Sequence, residues 1–243
     1  MDRRTFGIGA AATLLRSVTA KAAGRPGPLD GPRRPPKRPP ARFLVVLLHG
    51  FGSDGADMIS LAPSFQSYSA NAAFAAPNGP HVIDGGYSWF TPQTQNGASE
   101  QDRQARAAGG GGPALEAFLD AELGRYGLAP ERLILVGFSQ GASTALNTGL
   151  RRKVLPAAIV AFSGANLAPA GLPRTGRLPP VLLIQGDQDP RVSPAAQQQA
   201  MRILKDIGAP AQARILPGLG HGIDDRGIRL AGELIRSVTQ AQA

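Results

Sequence analysis

The sequence predicts an α/β fold: a mostly parallel sheet with helices on both faces. Two observations carry this. Apolar stretches of strand length are continuous rather than alternating, as in strands buried on both faces. They also take turns with segments of helical spacing, the pattern of repeated strand–helix units. Phe43–Leu48 is the first such strand, ended by His49-Gly50. Ala56–Phe65 places Met58, Ile59, Leu61 and Phe65 at helical spacing, and Ala72–Ala76 reads as a short strand closed by Pro77-Asn78-Gly79. Residues 79–112 form a long passage rich in glycine and glutamine, and loops of that length in compact domains are usually functional or disordered. Pro113 stands where a helix begins, with Leu115, Phe118, Leu119 and Leu123 as its apolar stripe. Further strands are expected at Arg132–Val136, Ala157–Phe162, Val181–Gln185 and Ala213–Leu216, with helices at Gln140–Leu150, Pro194–Ile207 and Gly222–Val238. In sheets of this kind ligands sit outside the carboxyl ends of the strands, so the loops after the strands are where chemistry belongs.

Composition narrows the chemistry. The chain has 243 residues, 42% of them hydrophobic and 18% charged, enough apolar content to bury a core. No run of eighteen apolar residues exists, so no stable membrane insertion is expected. The absence of cysteine excludes disulfides, thiolate catalysis and Cys-ligated metals. Three histidines (His49, His81, His221) leave little room for a His-rich metal centre. No metal and no cofactor are expected.

The net charge of +9 is lopsided. Residues 1–42 hold ten Lys/Arg against Asp2 and Asp30, while the remaining sixteen basic and fifteen acidic residues nearly cancel. The basic character belongs to a tail whose interleaved prolines offer no aromatic stacking platform, so nucleic acid is not an expected partner. That tail opens with Asp2-Arg3-Arg4-Thr5-Phe6, continues through the apolar run Gly7–Leu15 and reaches Ala20-Lys21-Ala22. A basic segment, an apolar segment and a small-x-small site make residues 1–22 signal-like. The Arg-Arg-x-Phe pair resembles a twin-arginine export signal, which places the protein in the periplasm or outside the cell, with a cytoplasmic location as the alternative. Residues 23–42 contain seven prolines and read as a disordered Pro/Arg-rich linker outside the fold, leaving 43–240 as the folded domain.

Two motifs compete for the first loop. Gly50-Phe51-Gly52-Ser53-Asp54-Gly55 matches the dinucleotide-binding pattern G-x-G-x-x-G between a strand and a helix. That pattern also wants an acid at the end of the next strand. Here the strand ends Ala75-Ala76-Pro77-Asn78, with no acid before Asp84. The alternative is a glycine turn that aims backbone N–H groups at developing negative charge, which requires a nucleophile opposite. Gly137-Phe138-Ser139-Gln140-Gly141 supplies one: a G-x-S-x-G string with a buried strand running in and a helix running out. Such an elbow lifts the serine hydroxyl clear at a hard turn over a helix N-terminus. The hydroxyl needs a base, and the base needs a carboxylate to hold its tautomer. His221 is the one histidine after Ser139, in the turn Gly218-Leu-Gly220-His221-Gly222. The acid belongs between them, where Gly186-Asp187-Gln188-Asp189-Pro190 offers two candidates. Asp224 and Asp225 read as first-turn acids of the last helix.

Residues 43–240 resemble the phospholipase/carboxylesterase family of α/β-hydrolases, which includes the acyl-protein thioesterases. The matching pieces are Leu48-His-Gly-Phe-Gly52, Pro77-Asn-Gly-Pro80, Tyr87-Ser-Trp-Phe90, Gly137-Phe-Ser-Gln-Gly-Ala142, Gly186-Asp-Gln-Asp-Pro190 and Gly220-His-Gly222. The resemblance implies Ser139, Asp189 and His221 as a catalytic triad, and the backbone N–H groups of Phe51 and Gln140 as an oxyanion hole. It puts Trp89 in a segment beside the acyl site, against the plainer reading of a partly buried loop anchor. The expected activity is cleavage of small-molecule or lipid carboxylic esters, of short to medium acyl length, with little chain left for a lid. Peptide or hydroxyalkanoate polymer cleavage on the same fold, or a non-enzymatic polyanion-binding role for the basic tail, are the alternatives.

Overall fold

The computed structural model describes residues 28–90, 109, 111–173 and 176–242. The signal-like segment 1–22 lies outside the described residues. The elements run β1 (Arg33–Arg34), β2 (Phe43–Leu48), α1 (Gly55–Ile59), α2 (Ala62–Gln66), β3 (Ala72–Ala75), β4 (His81–Ile83), β5 (Gly86–Ser88), α3 (Gly112–Arg125), β6 (Leu133–Phe138), α4 (Gln140–Gly149), β7 (Ala158–Phe162), β8 (Val181–Gly186), α5 (Pro194–Asp206), β9 (Ala211–Leu216) and α6 (Asp225–Ala241). The main sheet has the order β1-β3-β2-β6-β7-β8-β9. Every pairing in it is parallel except β1 with β3.

The continuous apolar strands are buried on both faces. Along β2, Leu44, Val46 and Leu48 join one core layer with Leu115 and Leu119 of α3, Ala145 and Leu146 of α4, and Ala200 and Leu204 of α5. Phe43, Val45 and Leu47 join the other with Met58 of α1, Phe65 of α2 and Ile235 of α6. Alternate side chains of one strand thus serve two layers, as the period of two requires. The chain runs from β2 out to β3 and returns on the other side of β2 as β6, so β2 and β6 flank the point where strand order reverses. In open α/β sheets that crevice is where ligands bind.

The structure departs from the sequence reading in three places. The stretch Ala56–Phe65 is two short helices rather than one, because Pro63 in the first turn of α2 has no N–H to continue α1. Within 79–112, His81–Ile83 and Gly86–Ser88 pair as an antiparallel hairpin, and residues 91–108 lie outside the described residues. Asp84-Gly85 at its tip is the hairpin signal, with Gly85 at φ 87°.

The third departure corrects the domain boundary. From residue 28 the proline-rich segment is not a linker outside the fold but an arm laid along the free edge of β3. Its carbonyls accept what that edge offers: Ala76 N–H donates to Pro32 O (3.0 Å), and Asn78 N–H to Asp30 O (2.9 Å). Arg33 and Arg34 pair with Ala75 and Phe74 as β1. Proline lacks a donor but keeps its acceptor, so a proline-rich segment is suited to covering an edge strand. The arm's charge is partly absorbed as well. Arg33 reaches the buried carboxylate of Glu122 (2.9 Å), which Arg125 also meets (3.2 Å), and Arg34 donates to Gln66 Oε1 (2.9 Å). Removing one partner of a buried ion pair strands the other, so Arg33→Ala, which leaves the buried Glu122 carboxylate without its partner on the arm, is expected to lower the unfolding free energy by about 3 kcal/mol in urea titration. A loss under about 1 kcal/mol would mean that the arm is not held by this contact.

Candidate active site

Ser139 follows β6 at once and caps α4 with φ 54° and ψ −114°, a left-handed backbone that serine adopts only under constraint. The constraint is close packing. A Cβ on Gly141 would strike the carbonyl oxygens of Leu48 and His49 at the end of β2, and one on Gly137 would strike the Gly141 carbonyl. Two glycines therefore let strand, helix and neighbouring strand meet closely enough to hold the bend. The Ser139 amide is tied to Phe162 O at the end of β7 (2.8 Å).

The other two members come from the next loops along the sheet. The Ser139 hydroxyl donates to His221 Nε2 (3.0 Å), and His221 Nδ1–H donates to Asp189 Oδ2 (2.8 Å). This fixes the neutral imidazole with its lone pair toward the serine. The Phe138 ring packs against the imidazole, centroids 5.0 Å apart. Asp189 Oδ1 accepts from the Arg191 and Val192 amides (2.8 and 3.0 Å), and its side chain is fully buried. Burial pushes its pKa up, but the hydrogen bonds from His221 and the two amides outweigh it and hold the carboxyl below its ordinary value.

Of the two candidate acids, Asp189 therefore meets His221 and Asp187 does not. Asp187 Oδ1 accepts from Gly218 N–H (2.7 Å), and Gln188 N–H donates to Leu219 O (3.0 Å). These contacts zip the acid loop to the histidine loop. Asp224 caps α6 by accepting from Gly227 N–H (2.9 Å).

The turn after β2 faces the nucleophile. A Cβ built on Gly50 would lie 3.4 Å from Ser139 Cβ. Phe51 is 45% exposed on this turn. Gln140 is the first residue of α4, and the leading amides of a helix have no intrahelical acceptor. The turn is clamped from outside by β5: Gly52 N–H donates to Tyr87 O (3.0 Å) and Tyr87 N–H to Ser53 O (2.9 Å). The G-x-G-x-x-G string thus serves as a turn beside a serine, with Asp54 spent on capping α1 through Asp57 N–H (2.9 Å).

Trp89 takes the anchoring position. It is 1% exposed, its Nε1–H donates to His49 O (2.9 Å) and its amide donates to Gln140 Oε1 (2.8 Å). Three contributors were not legible in sequence: the Gln140 side chain, Asp187 as a loop tie, and His49. His49 is fully buried, accepts from Gly79 N–H through Nε2 (2.9 Å) and donates from Nδ1 to Gly50 O (2.7 Å). Burial pushes its pKa below the ordinary histidine value, and the Gly50 bond with the charges of Asp54 and Asp57 offsets this only in part. Among the described residues, no group of three or more His, Asp or Glu side chains is placed to hold a metal ion.

Comparisons with known proteins bear on the fold and the family. A phospholipase/carboxylesterase family model matches residues 34–239, beginning inside β1. Esterase YpfH of Escherichia coli (strain K12) is 30% identical over 204 residues, covering 81% of this chain and 83% of that protein. Acyl-protein thioesterase 1 of Schizosaccharomyces pombe is 26% identical over 192 residues, covering 74% and 83%. Among solved structures, the crystal structure of esterase PE8 superposes with a TM-score of 0.79 at 41% identity, over 87% of this chain and 100% of that one. Arabidopsis thaliana SOBER1 gives 0.67 at 25% identity, over 82% and 100%. With its parallel sheet, elbow serine and family match in hand, the chain belongs to the phospholipase/carboxylesterase family of α/β-hydrolases and is a hydrolase of the carboxylesterase/thioesterase type.

Proposed function

We propose that this protein cleaves carboxylic esters of short to medium acyl length through a Ser139–His221–Asp189 triad and an acyl-enzyme. The observation that carries the reading is the unbroken line of hydrogen bonds from the Ser139 hydroxyl through both imidazole nitrogens to Asp189. In the acylation step Ser139 Oγ attacks the acyl carbonyl carbon while His221 Nε2 takes the hydroxyl proton. The imidazolium so formed is stabilised by Asp189, which stays ionised because its pKa is depressed. The negative charge that builds on the carbonyl oxygen is received by the amides of Phe51 and Gln140, at the turn and helix end that flank Ser139. Collapse breaks the ester bond, and His221 hands its proton to the departing alcohol or thiol. Water, deprotonated by the same imidazole, then frees the acid.

Residues 79–90, which carry the hairpin and Trp89 beside the elbow, form one wall of the acyl pocket in this reading. Residues 1–22 direct the protein across the inner membrane as a twin-arginine-type leader, a reading that rests on the sequence alone.

Ser139→Ala and His221→Ala are each expected to reduce kcat on p-nitrophenyl butyrate by at least ~10³-fold and to abolish labelling by a fluorophosphonate probe. Asp189→Asn should lose ~10³- to 10⁴-fold, whereas Asp187→Asn, which keeps an acceptor for Gly218, should lose less than about 5-fold. Equal losses for the two aspartates would reassign the acid. Across a series of p-nitrophenyl esters, kcat/KM should peak between about C4 and C8; a maximum at C12 or longer overturns the short-chain assignment. N-terminal sequencing of the native protein should begin near residue 23, and an intact Met1 terminus on cytoplasmic protein would remove the export reading.

A further inference from the structure

The Gly50–Phe51 peptide sits in an awkward position. Its N–H belongs to one of the two amides assigned to the oxyanion, and it lies in the turn after β2 beside Gly50, which has no Cβ to restrict its own backbone. A peptide is planar and trans, so its C=O and N–H point in opposite directions. A flip would aim an oxygen, rather than a hydrogen, at the place where negative charge develops. Some contact has to hold the carbonyl on the far side.

Two contacts do so: the Ser53 N–H donates to Gly50 O across the turn (3.3 Å), and the buried imidazole of the preceding residue holds the same oxygen more closely. His49 Nδ1 lies 2.7 Å from Gly50 O. Its other nitrogen faces the Gly79 amide at 2.9 Å, and a backbone N–H can only donate, so Nε2 is the acceptor and the ring proton is on Nδ1. The tautomer is thus dictated by Gly79, and the donor it leaves points at Gly50 O. The ring has no room to swing: it is fully buried, stacks at a tilt on Trp89 (centroids 5.0 Å apart) and meets Tyr87 edge-on (6.3 Å). Trp89 then links the two halves of the site, with its indole N–H on His49 O and its amide on Gln140 Oε1. One chain of hydrogen bonds therefore runs from the Gly50–Phe51 peptide through His49 and Trp89 to the residue that carries the second amide.

We propose that His49 is a positioning residue for the ester-cleaving reaction: by holding Gly50 O, it aims the Phe51 N–H at the carbonyl oxygen of the transition state. It takes no proton and touches no substrate. The proposal rests on the reading of the Phe51 and Gln140 amides as the oxyanion hole.

Two substitutions separate its bonds. Asn at position 49 sets an amide nitrogen near the place of Nδ1 and keeps a donor for Gly50 O, while losing the partner of Gly79. Gln reaches the place of Nε2 and keeps an acceptor for Gly79, while losing the donor to Gly50. Loss of one oxyanion donor costs ~10²- to 10³-fold, so misaiming one should cost somewhat less. His49→Gln is expected to lose about 30- to 100-fold in kcat on p-nitrophenyl butyrate with KM within about 3-fold, and His49→Asn to stay within about 5-fold of wild type. Affinity for a trifluoromethyl ketone, which forms a tetrahedral adduct with the serine, should fall in His49→Gln in step with kcat. Equal losses in the two variants, a greater loss in His49→Asn, or an effect confined to KM overturns the proposal.

If either variant fails to give a thermal melting transition, Trp89→Phe, which removes the indole N–H that holds His49 O, takes its place: lower kcat at unchanged KM supports the proposal and unchanged kcat overturns it. Ser139→Ala is run alongside. If it keeps activity, the catalytic reading itself falls. If it is inactive while the position-49 variants match wild type, the positioning role alone falls.

Discussion

The geometry of this molecule hangs on how closely the start of α4 can approach the end of β2. With Gly141 pressed onto the Leu48 and His49 carbonyls, the chain leaving β6 has no choice but to reverse sharply, and Ser139 occupies the bend with a backbone that costs on the order of 1–3 kcal/mol. The flanking contacts over-determine that conformation: the Ser139 amide is held by Phe162 O, and the helix beneath is buried along its whole length and packs on β6 and β7. The strained serine is therefore a product of packing on every side rather than of any single bond, and the same compression brings the turn after β2 so near that a Cβ on Gly50 would touch the hydroxyl-bearing carbon.

Around this fixed point the loops supply charge without importing much of it. The carboxylate of Asp189 is kept ionised by two main-chain amides and an imidazole, with no lysine or arginine side chain among the described residues bonded to it. The loops carrying Asp189 and His221 are joined by Asp187 and by the Gln188–Leu219 bond, so the spacing of acid and base is set by backbone on both sides. A site assembled from amide dipoles needs no reorganisation as charge moves through it, which is where such arrangements gain over water.

Much of this was legible in the sequence, for physical reasons. β2, β6, β7 and β8 were readable because strands buried on both faces must be continuously apolar, and the elbow was readable because a hard turn between such a strand and a helix demands small residues on either side of the serine. His221 followed from there being no other histidine downstream. The boundary of the domain was not readable: seven prolines look like a spacer to any rule based on missing donors, and only the bare edge of β3 explains why acceptors were what that segment needed. The choice between Asp187 and Asp189 rested on family likeness, since two residues apart in one loop both carboxylates have the same local signature. His49 was hidden for another reason. Its work is done on the carbonyl of its immediate neighbour and on an amide thirty residues away, and neither partner has a side chain to betray it.

The arm along β3 also makes the molecule one-sided. On that margin the sheet is closed by carbonyls drawn from a proline-rich strip, which leaves few hydrogen-bond donors for an incoming chain. At the opposite margin β9 pairs with β8 alone and runs for six residues, with Ile215 half exposed and Arg214 as its one charged side chain. Among the described residues β9 is thus the open edge of the main sheet, and adhesion of two copies through it joins edge to edge and leaves no main-sheet edge for a third.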